Sequence, residues 1–132
     1  MTVNKDMLSK NFSRLELQCS CCGKCDMHPE MVSLLQTIRT LYGKPLFVSS
    51  GYRCPQHPVE AMKDKPGEHT HGMAADIICH GEVALQILRH ALTLGVTRIG
   101  MNQKGRASSR FVHLGIADKY TAEFPKQSIW TY

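Results

Sequence analysis

The feature that most constrains this fold is a carboxylate set inside an apolar segment. Residues 73–79 read Met-Ala-Ala-Asp-Ile-Ile-Cys, which is typical of a buried strand, with Asp76 at the centre. Burying an ionised carboxylate is costly unless it is paired, hydrogen-bonded or bound to a metal. A cation is the simplest partner for Asp76. The alternative is an ion pair with Arg53 or a hydrogen bond from a backbone amide.

Two stretches on either side of this segment have apolar residues at three- and four-residue steps, which predicts amphipathic helices. The first covers residues 28–43, with Pro29 in its first turn and Gly43 at its end. The second covers residues 82–94 and ends before Gly95.

Several short segments rich in β-forming residues lie between and after the two helices. A single helical turn is expected at residues 59–62. Strands are expected at residues 46–50, 73–79, 97–101 and 111–116, with a candidate edge strand at 128–132. This order favours an α+β fold, in which a small antiparallel or mixed sheet packs against two main helices.

The length of 132 residues suits a single domain, 1–132, in which residues 1–28 form an irregular segment containing cysteines. No apolar run approaches the roughly 18 residues of a membrane span. The start of the chain lacks the apolar centre of a secretory signal peptide. The sequence therefore predicts a protein made in the cytoplasm, with no membrane partner, which would need another route to reach the cell exterior.

The formal net charge of +5 at pH 7 would suit a polyanionic surface such as nucleic acid or an anionic cell wall. No dense run of Lys and Arg exists, so a solvated basic surface is the favoured interpretation. A nucleic-acid-binding zinc knuckle would need aromatic and basic residues interleaved around the cysteines. Only Phe12, Arg14 and Lys24 lie there, so nucleic acid is not an expected partner.

Four of the six cysteines fall within seven residues of one another. Without a signal peptide, reduced thiols or a metal site are favoured over disulfides. A four-cysteine zinc site usually takes two separated pairs. Local packing of these thiols, or pairing with Cys54 or Cys79, is therefore favoured over a second metal. The four clustered residues are Cys19, Cys21, Cys22 and Cys25.

His69 and His113 are the histidines whose setting favours metal binding. His69 precedes Asp76 in a loop rich in glycine and proline. Strand alternation puts the even-numbered residues around His113 in the core and turns His113 to the other face. It would meet Asp76 there if the two strands are neighbours. Two imidazoles and one carboxylate leave a fourth tetrahedral position open, as in catalytic zinc sites, where zinc lowers the pKa of a bound water towards about 7.

Three separated segments then carry a family resemblance. Residues 67–76 resemble the S-x-H-x-x-G-x-A-x-D motif of the zinc D-Ala-D-Ala carboxypeptidase family, with Gly67 in place of the serine. This metallopeptidase family includes phage endolysins, with hedgehog domains as distant relatives. Residues 49–55 resemble its S-G-Y-R-x-P segment, and residues 110–114 match the strand with the last histidine. The terminal Trp-Thr-Tyr is similar to that of short phage and prophage members.

The resemblance runs from about residue 30 to the end, and it implies a hedgehog-like fold and a function. The implied activity is hydrolysis of an amide bond in the stem peptide of bacterial peptidoglycan, by a carboxypeptidase or endopeptidase of phage or prophage origin. The implied cofactor is Zn2+. The implied metal ligands are His69, Asp76 and His113, the implied oxyanion-stabilising residue is Arg53, and the implied substrate-binding residues are Ser50 and Tyr52. A salt bridge in a turn is the alternative role for Arg53.

The sequence departs from the family at the general base. Members carry an acid three residues before the last histidine, a histidine two before it, or in some cases an acid two after it. Those positions here hold Arg110, Phe111 and Gly115. General acid–base help is typically worth about 10²–10⁴-fold, so the alternative is a non-catalytic, zinc-stabilised cell-wall-binding or virion structural module. Three titratable residues remain nearby in sequence, namely Glu68, His71 and Asp118.

Overall fold

The computed structural model describes residues 6–132 and is built around a five-stranded sheet. In chain order the strands are β1 (Phe47–Ser50), β2 (Ala74–Ile78), β3 (Arg98–Asn102), β4 (Phe111–Gly115) and β5 (Ser128–Thr131). Their spatial order is β1-β2-β4-β3-β5. The first three contacts in this order are antiparallel, and β5 pairs with β3 in parallel at the edge. The predicted α+β class with a mixed sheet is confirmed.

Two long helices cover one face of this sheet. In chain order the helices are α1 (Arg14–Leu17), α2 (Pro29–Tyr42), α3 (Pro58–Ala61) and α4 (Gly81–Thr93). The side chain of His28 caps α2 by accepting a hydrogen bond from the N–H of Glu30 at 3.2 Å. The two long helices and the single turn α3 agree with the sequence prediction to within a residue or two. None of the helices in residues 6–132 is long and apolar enough to cross a membrane.

The hydrophobic core lies between the helices and one face of the sheet. Leu35 and Ile38 of α2 and Ile87 of α4 are fully buried in the same cluster as Ile77 and Leu114 of the sheet. Strand alternation then turns the intervening residues of β2 and β4 to the opposite face. That opposite face carries the polar residues described below.

The N-terminal segment is less irregular than the sequence predicts. Residues 1–5 of the predicted irregular segment lie outside the described part of the chain, but α1 forms within it. Ser13 Oγ accepts from the N–H of Glu16 at 3.2 Å, and the Glu16 carboxylate accepts from the N–H of Ser13 at 3.3 Å. This capping box stabilises a helix that is too short to show apolar periodicity. Leu17, at its end, is fully buried.

Candidate metal centre

The candidate metal centre lies on the sheet face opposite the long helices. Asp76 in β2 and His113 in β4 are directly paired across the antiparallel ladder. Their side chains therefore emerge next to each other on the same face. His69 comes from a short 3-10 helix, Glu68–His71, immediately before β2. The neighbouring strands that the sequence analysis required are thus present, although β3 lies between them in the chain.

The three side chains offer ligand atoms at a spacing that suits zinc. His69 Nε2 lies 3.3 Å from Asp76 Oδ1, and His113 Nδ1 lies 2.9 Å from the same oxygen. All three donors lie within 4.8 Å of one another, and all three residues are buried. Zn–N and Zn–O distances of about 2.0–2.1 Å imply tetrahedral ligand atoms about 3.3 Å apart. The donor set and its spacing therefore fit a zinc ion.

The other nitrogen of each imidazole has its own acceptor, which sets the tautomer. His69 Nδ1 is 2.7 Å from the carbonyl oxygen of Gly51. A carbonyl only accepts, so Nδ1 donates to it, and Nε2, which faces Asp76, is the nitrogen that would give up its proton to bind a metal ion. His113 Nε2 is 2.5 Å from Glu68 Oε1, so the carboxylate accepts and Nδ1 faces Asp76. Such partners orient metal-binding imidazoles and raise their basicity.

The Glu68 carboxylate lies against Gly115, a position that the sequence did not predict. A Cβ atom added at Gly115 would lie 2.1 Å from Glu68 Oε1, so the Glu68 carboxylate fills the space where a side chain at position 115 would begin. Position 115 lies two residues after His113, where some family members carry an acid. In this chain a carboxylate reaches that space from the turn before β2, and the glycine leaves room for it.

Both oxygens of Glu68 are engaged. Oε1 accepts from His113, while Oε2 accepts from Arg98 Nε at 3.0 Å and lies 3.4 Å from the N–H of Ala117. Burial raises the pKa of Glu68, but His113 and Arg98 lower it by more, so the pKa lies below its ordinary value. With 3% of the residue exposed, and with a partner on each oxygen, Glu68 is placed to position His113.

Arg98 is itself held in place from several sides. Its guanidinium carbon lies 5.2 Å from the ring centre of Phe124 and 5.1 Å from that of Trp130. Arg98 Nη1 also donates to the carbonyl oxygen of Pro125 at 2.8 Å. Cation–π contacts of this kind strengthen when the cation is shielded from water. The Arg98–Glu68 pair is therefore a rigid support behind His113.

Arg53 pairs with the second oxygen of Asp76. Arg53 Nη2 lies 3.2 Å from Asp76 Oδ2, whereas both histidines face Oδ1. Burial raises the pKa of Asp76, but hydrogen bonds from His113 and His69 lower it well below its usual range. The ion pair considered as an alternative to a metal is thus present, and it leaves Oδ1 available between the two imidazoles.

Arg53 lines the same cavity as the three candidate ligands. The cavity has a volume of about 310 Å3. Ser50 and Tyr52, the implied substrate-binding residues, do not line it: Ser50 Oγ accepts from Arg53 Nε at 2.8 Å, and Tyr52 is buried. The remaining wall is largely aromatic and basic, formed by Phe111, Phe124, Trp130, Tyr132, Lys63 and Arg98.

The other two candidate bases from the sequence lie away from this cavity. His71 Nε2 is 3.7 Å from Glu123 Oε2, and its ring packs against Phe124 outside the cavity lining. Asp118 is buried and accepts from Thr97 Oγ1 at 2.7 Å. Among the described residues that line the cavity, the carboxylates are Glu68 and Asp76 alone. Each oxygen of both carboxylates already contacts a histidine or an arginine.

Glu60 forms an ion pair with Arg53. Its fully buried carboxylate lies 3.2 Å from Arg53 Nη1 and 3.0 Å from Lys63 Nζ. It also accepts from the N–H of Gly67 at 2.7 Å and from Thr70 Oγ1 at 3.3 Å. Burial alone would raise the pKa of Glu60, but the Gly67 N–H, Lys63 and Arg53 lower it to about 2.

Replacing Glu60 with glutamine should reduce the free energy of unfolding by about 2 kcal/mol at pH 7. Because the folded-state pKa is depressed, Glu60 stabilises the protein above its ordinary pKa of 4.5, and this contribution is lost as pH falls towards 2. Urea unfolding between pH 7 and pH 3 measures the effect. The difference between wild type and Glu60→Gln should shrink over the acid range, while the exposed control Glu123→Gln should follow wild type throughout. A constant difference at every pH would contradict the assignment.

Comparison with known proteins identifies the family. The sequence model of a family described as peptidase M15 matches residues 10–115, which include Arg53 and all three candidate ligands. The chain belongs to the peptidase M15 family. This family includes the zinc D-Ala-D-Ala carboxypeptidases, so the resemblance seen in the sequence is confirmed, and its peptidases depend on zinc. A search among curated proteins gives no match.

Proposed function

We propose that this chain is a zinc-dependent peptidase that hydrolyses an amide bond in the stem peptide of bacterial peptidoglycan. The observation that carries the proposal is the convergence of His69, Asp76 and His113 with Arg53 around one cavity. The substrate class follows from the motifs shared with D-Ala-D-Ala carboxypeptidases. Phage or prophage origin, with action on the wall after release or within a virion, is part of the same proposal.

His69, Asp76 and His113 would hold the zinc ion through Nε2, Oδ1 and Nδ1. Zinc supplies Lewis acidity when bound, which activates water and polarises the carbonyl of the bond to be cut. Gly51 and Glu68 fix the orientation of the two imidazoles through their outer nitrogens. This arrangement keeps both lone pairs aimed at one point before substrate arrives.

Arg53 is the group that would stabilise negative charge developing on the carbonyl oxygen. Its guanidinium is held by Ser50, Glu60 and Asp76, and 15% of its side chain is exposed, at the cavity. A donor fixed in this way loses little freedom when charge develops, which is the condition for effective electrostatic stabilisation.

The cavity wall suits a peptide that carries carboxylates. Trp130 and Tyr132 offer apolar surface beside the candidate ligands, and Lys63 adds a second positive charge at the wall. Aromatic rings exclude water from the reacting bond, and the partly exposed ammonium group of Lys63 attracts a negatively charged peptide end. Both features favour a stem peptide over a neutral or basic peptide.

A second function is favoured by one observation, the lack of a free proton acceptor in the described cavity. Without such a group, the same site would support a zinc-stabilised module that binds the cell wall or forms part of a virion without turnover. General acid–base catalysis is typically worth about 10²–10⁴-fold. The two functions therefore differ in turnover and share the zinc site.

Purified zinc-loaded protein should release new amine and carboxyl ends from peptidoglycan sacculi and from purified stem peptides. Mass spectrometry of the fragments measures the effect and distinguishes loss of a terminal residue from cleavage inside the peptide. His113→Ala should abolish release, because it removes a candidate ligand. The matched control His71→Ala should retain it, because His71 lies outside the cavity. Zinc-loaded protein that binds sacculi without cutting them would establish the binding module instead.

A further inference from the structure

Three cysteines meet where the N-terminal segment packs on the loop after β1. Cys19 and Cys22 come from the N-terminal segment, and Cys54 comes from the loop. Their sulfur atoms lie within 4.8 Å of one another, with Cys19 and Cys54 buried and Cys22 exposed. The four-cysteine run in the sequence therefore does not act as one local cluster, because Cys25 packs against the main hydrophobic core instead.

Cys19 and Cys22 lie in one hydrogen-bonded turn. The N–H of Gly23 donates to the carbonyl oxygen of Cys19 at 2.8 Å, and the N–H of Cys19 donates to that of Lys24 at 2.7 Å. Gly23 has a φ of +73°, a left-handed conformation that favours glycine. The Cys-x-x-Cys spacing within this turn is one that structural zinc sites use.

The surroundings of Cys19 favour a thiolate. The N–H of Cys54 lies 3.3 Å from Cys19 Sγ. The backbone N–H groups of Cys22 and Cys21 also donate to this sulfur. Thiolates are the form in which cysteine binds metals. Backbone donors gathered on one sulfur stabilise its anion and have no equivalent role in a disulfide.

The third sulfur also favours a metal over a disulfide. All six cysteines are free thiols in the structure. A bridge between any two of the three would leave the remaining sulfur beside it without a partner. A tetrahedral zinc ion with Zn–S distances of about 2.3 Å places its sulfur ligands about 3.8 Å apart. A single ion can therefore use all three sulfurs with small movements.

We propose that Cys19, Cys22 and Cys54 bind a second zinc ion, which is structural. The fourth position lies on the exposed side of the group, where Cys21 or a water molecule completes the tetrahedron. His57 is less suited, because its Nδ1 accepts from the N–H of Val59 at 3.1 Å. Its Nε2 then carries the proton and lies 3.1 Å from Ser20 Oγ.

The second ion would connect the N-terminal segment to the loop that carries Arg53. Tyr52 donates its N–H to the carbonyl oxygen of Leu17 at 2.9 Å, and Arg53 donates its N–H to that of His69 at 3.3 Å. Cys54 follows directly in the chain. A metal at Cys54 therefore fixes one end of a loop whose other contacts reach the candidate metal centre.

Metal content separates the two sites. Wild-type protein purified under reducing conditions should contain two zinc ions per chain, and both His69→Ala and Cys54→Ser should contain one. The matched control Cys25→Ser, from the same segment, should keep two. Cobalt-loaded wild type and His69→Ala should show a thiolate-to-cobalt charge-transfer band that Cys54→Ser lacks. This result does not depend on peptidase activity, since two ions can be present in a protein that cuts nothing.

A measurement on the unmodified chain covers the case in which Cys54→Ser fails to fold. An organomercurial thiol reagent should release one zinc ion from wild type and leave the other bound. The proposal is wrong if wild type contains one zinc ion that the reagent does not release. It is also wrong if denatured wild type shows two fewer free thiols than its six cysteines, which would indicate a disulfide.

Discussion

Replacing Glu68 with alanine is expected to lower the zinc affinity of the His69–Asp76–His113 site about 10- to 100-fold, and adding Gly115→Asp to that variant is expected to restore most of it. Glu68→Ala removes the acceptor for His113 Nε2, so the imidazole can rotate or change tautomer. In the double variant the new carboxylate starts from the space that Glu68 has left. Competition with a chromogenic chelator measures the affinity.

Comparing wild type, the two single variants and the double variant tests whether the carboxylates at positions 68 and 115 occupy the same space. Gly115→Asp alone should be the poorest zinc binder, because its Cβ would lie 2.1 Å from Glu68 Oε1 and its charge would repel that carboxylate. Glu68→Gln should be intermediate, because an amide oxygen still accepts from Nε2 but carries no charge. Nitrogen NMR of the His113 ring reports the tautomer, which a purely structural role would leave unchanged. A double variant no better than Glu68→Ala would contradict the shared position.

Replacing Arg53 with alanine is expected to lower kcat for stem-peptide hydrolysis about 10²–10³-fold with little change in KM. The guanidinium would act on charge that is absent from the bound substrate, so the loss falls on the chemical step. Arg53→Lys should recover little, because one ammonium group cannot replace contacts to Ser50, Glu60 and Asp76. Zinc content should be retained, since Arg53 contacts Oδ2 of Asp76 rather than Oδ1.

Steady-state kinetics on a purified stem peptide distinguish an effect on kcat from an effect on KM. Zinc content measured in the same samples shows whether lost activity comes from lost metal. Arg106→Ala is a suitable control, because Arg106 is exposed and does not line the cavity. A phosphinate analogue of the stem peptide should bind wild type more tightly than Arg53→Ala. If kcat is unchanged in a zinc-replete Arg53→Ala protein, Arg53 serves as a salt bridge in a turn.

Local pattern was enough to predict α2, α3, α4 and the five strands, and alternation correctly placed His113 on a face where it could meet Asp76. It could not establish that β2 and β4 are neighbours, because this contact depends on how the whole chain is arranged. The helix α1 was missed because one turn is too short for periodicity. Its capping box, Ser13 with Glu16, was the available signal.

The positions of Glu68 and of the three grouped cysteines could not be predicted for a related reason. Within its own strand, the glycine at position 115 indicated only the absence of an acid, and Glu68 was named only as a titratable residue close to His69 in the sequence. Their connection is visible only when the turn before β2 is placed over β4. Likewise, Cys54 joins Cys19 and Cys22 through contacts between distant parts of the chain. Sequence spacing within one segment carries no information about such contacts.

The sheet separates the residues that form the main core from those that line the cavity. Residues of the main core face the long helices, while the candidate metal ligands and other cavity-lining residues project from the opposite surface of the same strands. Substitutions at Trp130 or Tyr132 can therefore reshape substrate preference without opening a void in the main core. If the proposed function holds, substitutions on the cavity side would change which bond is recognised and leave the stability of the fold largely intact.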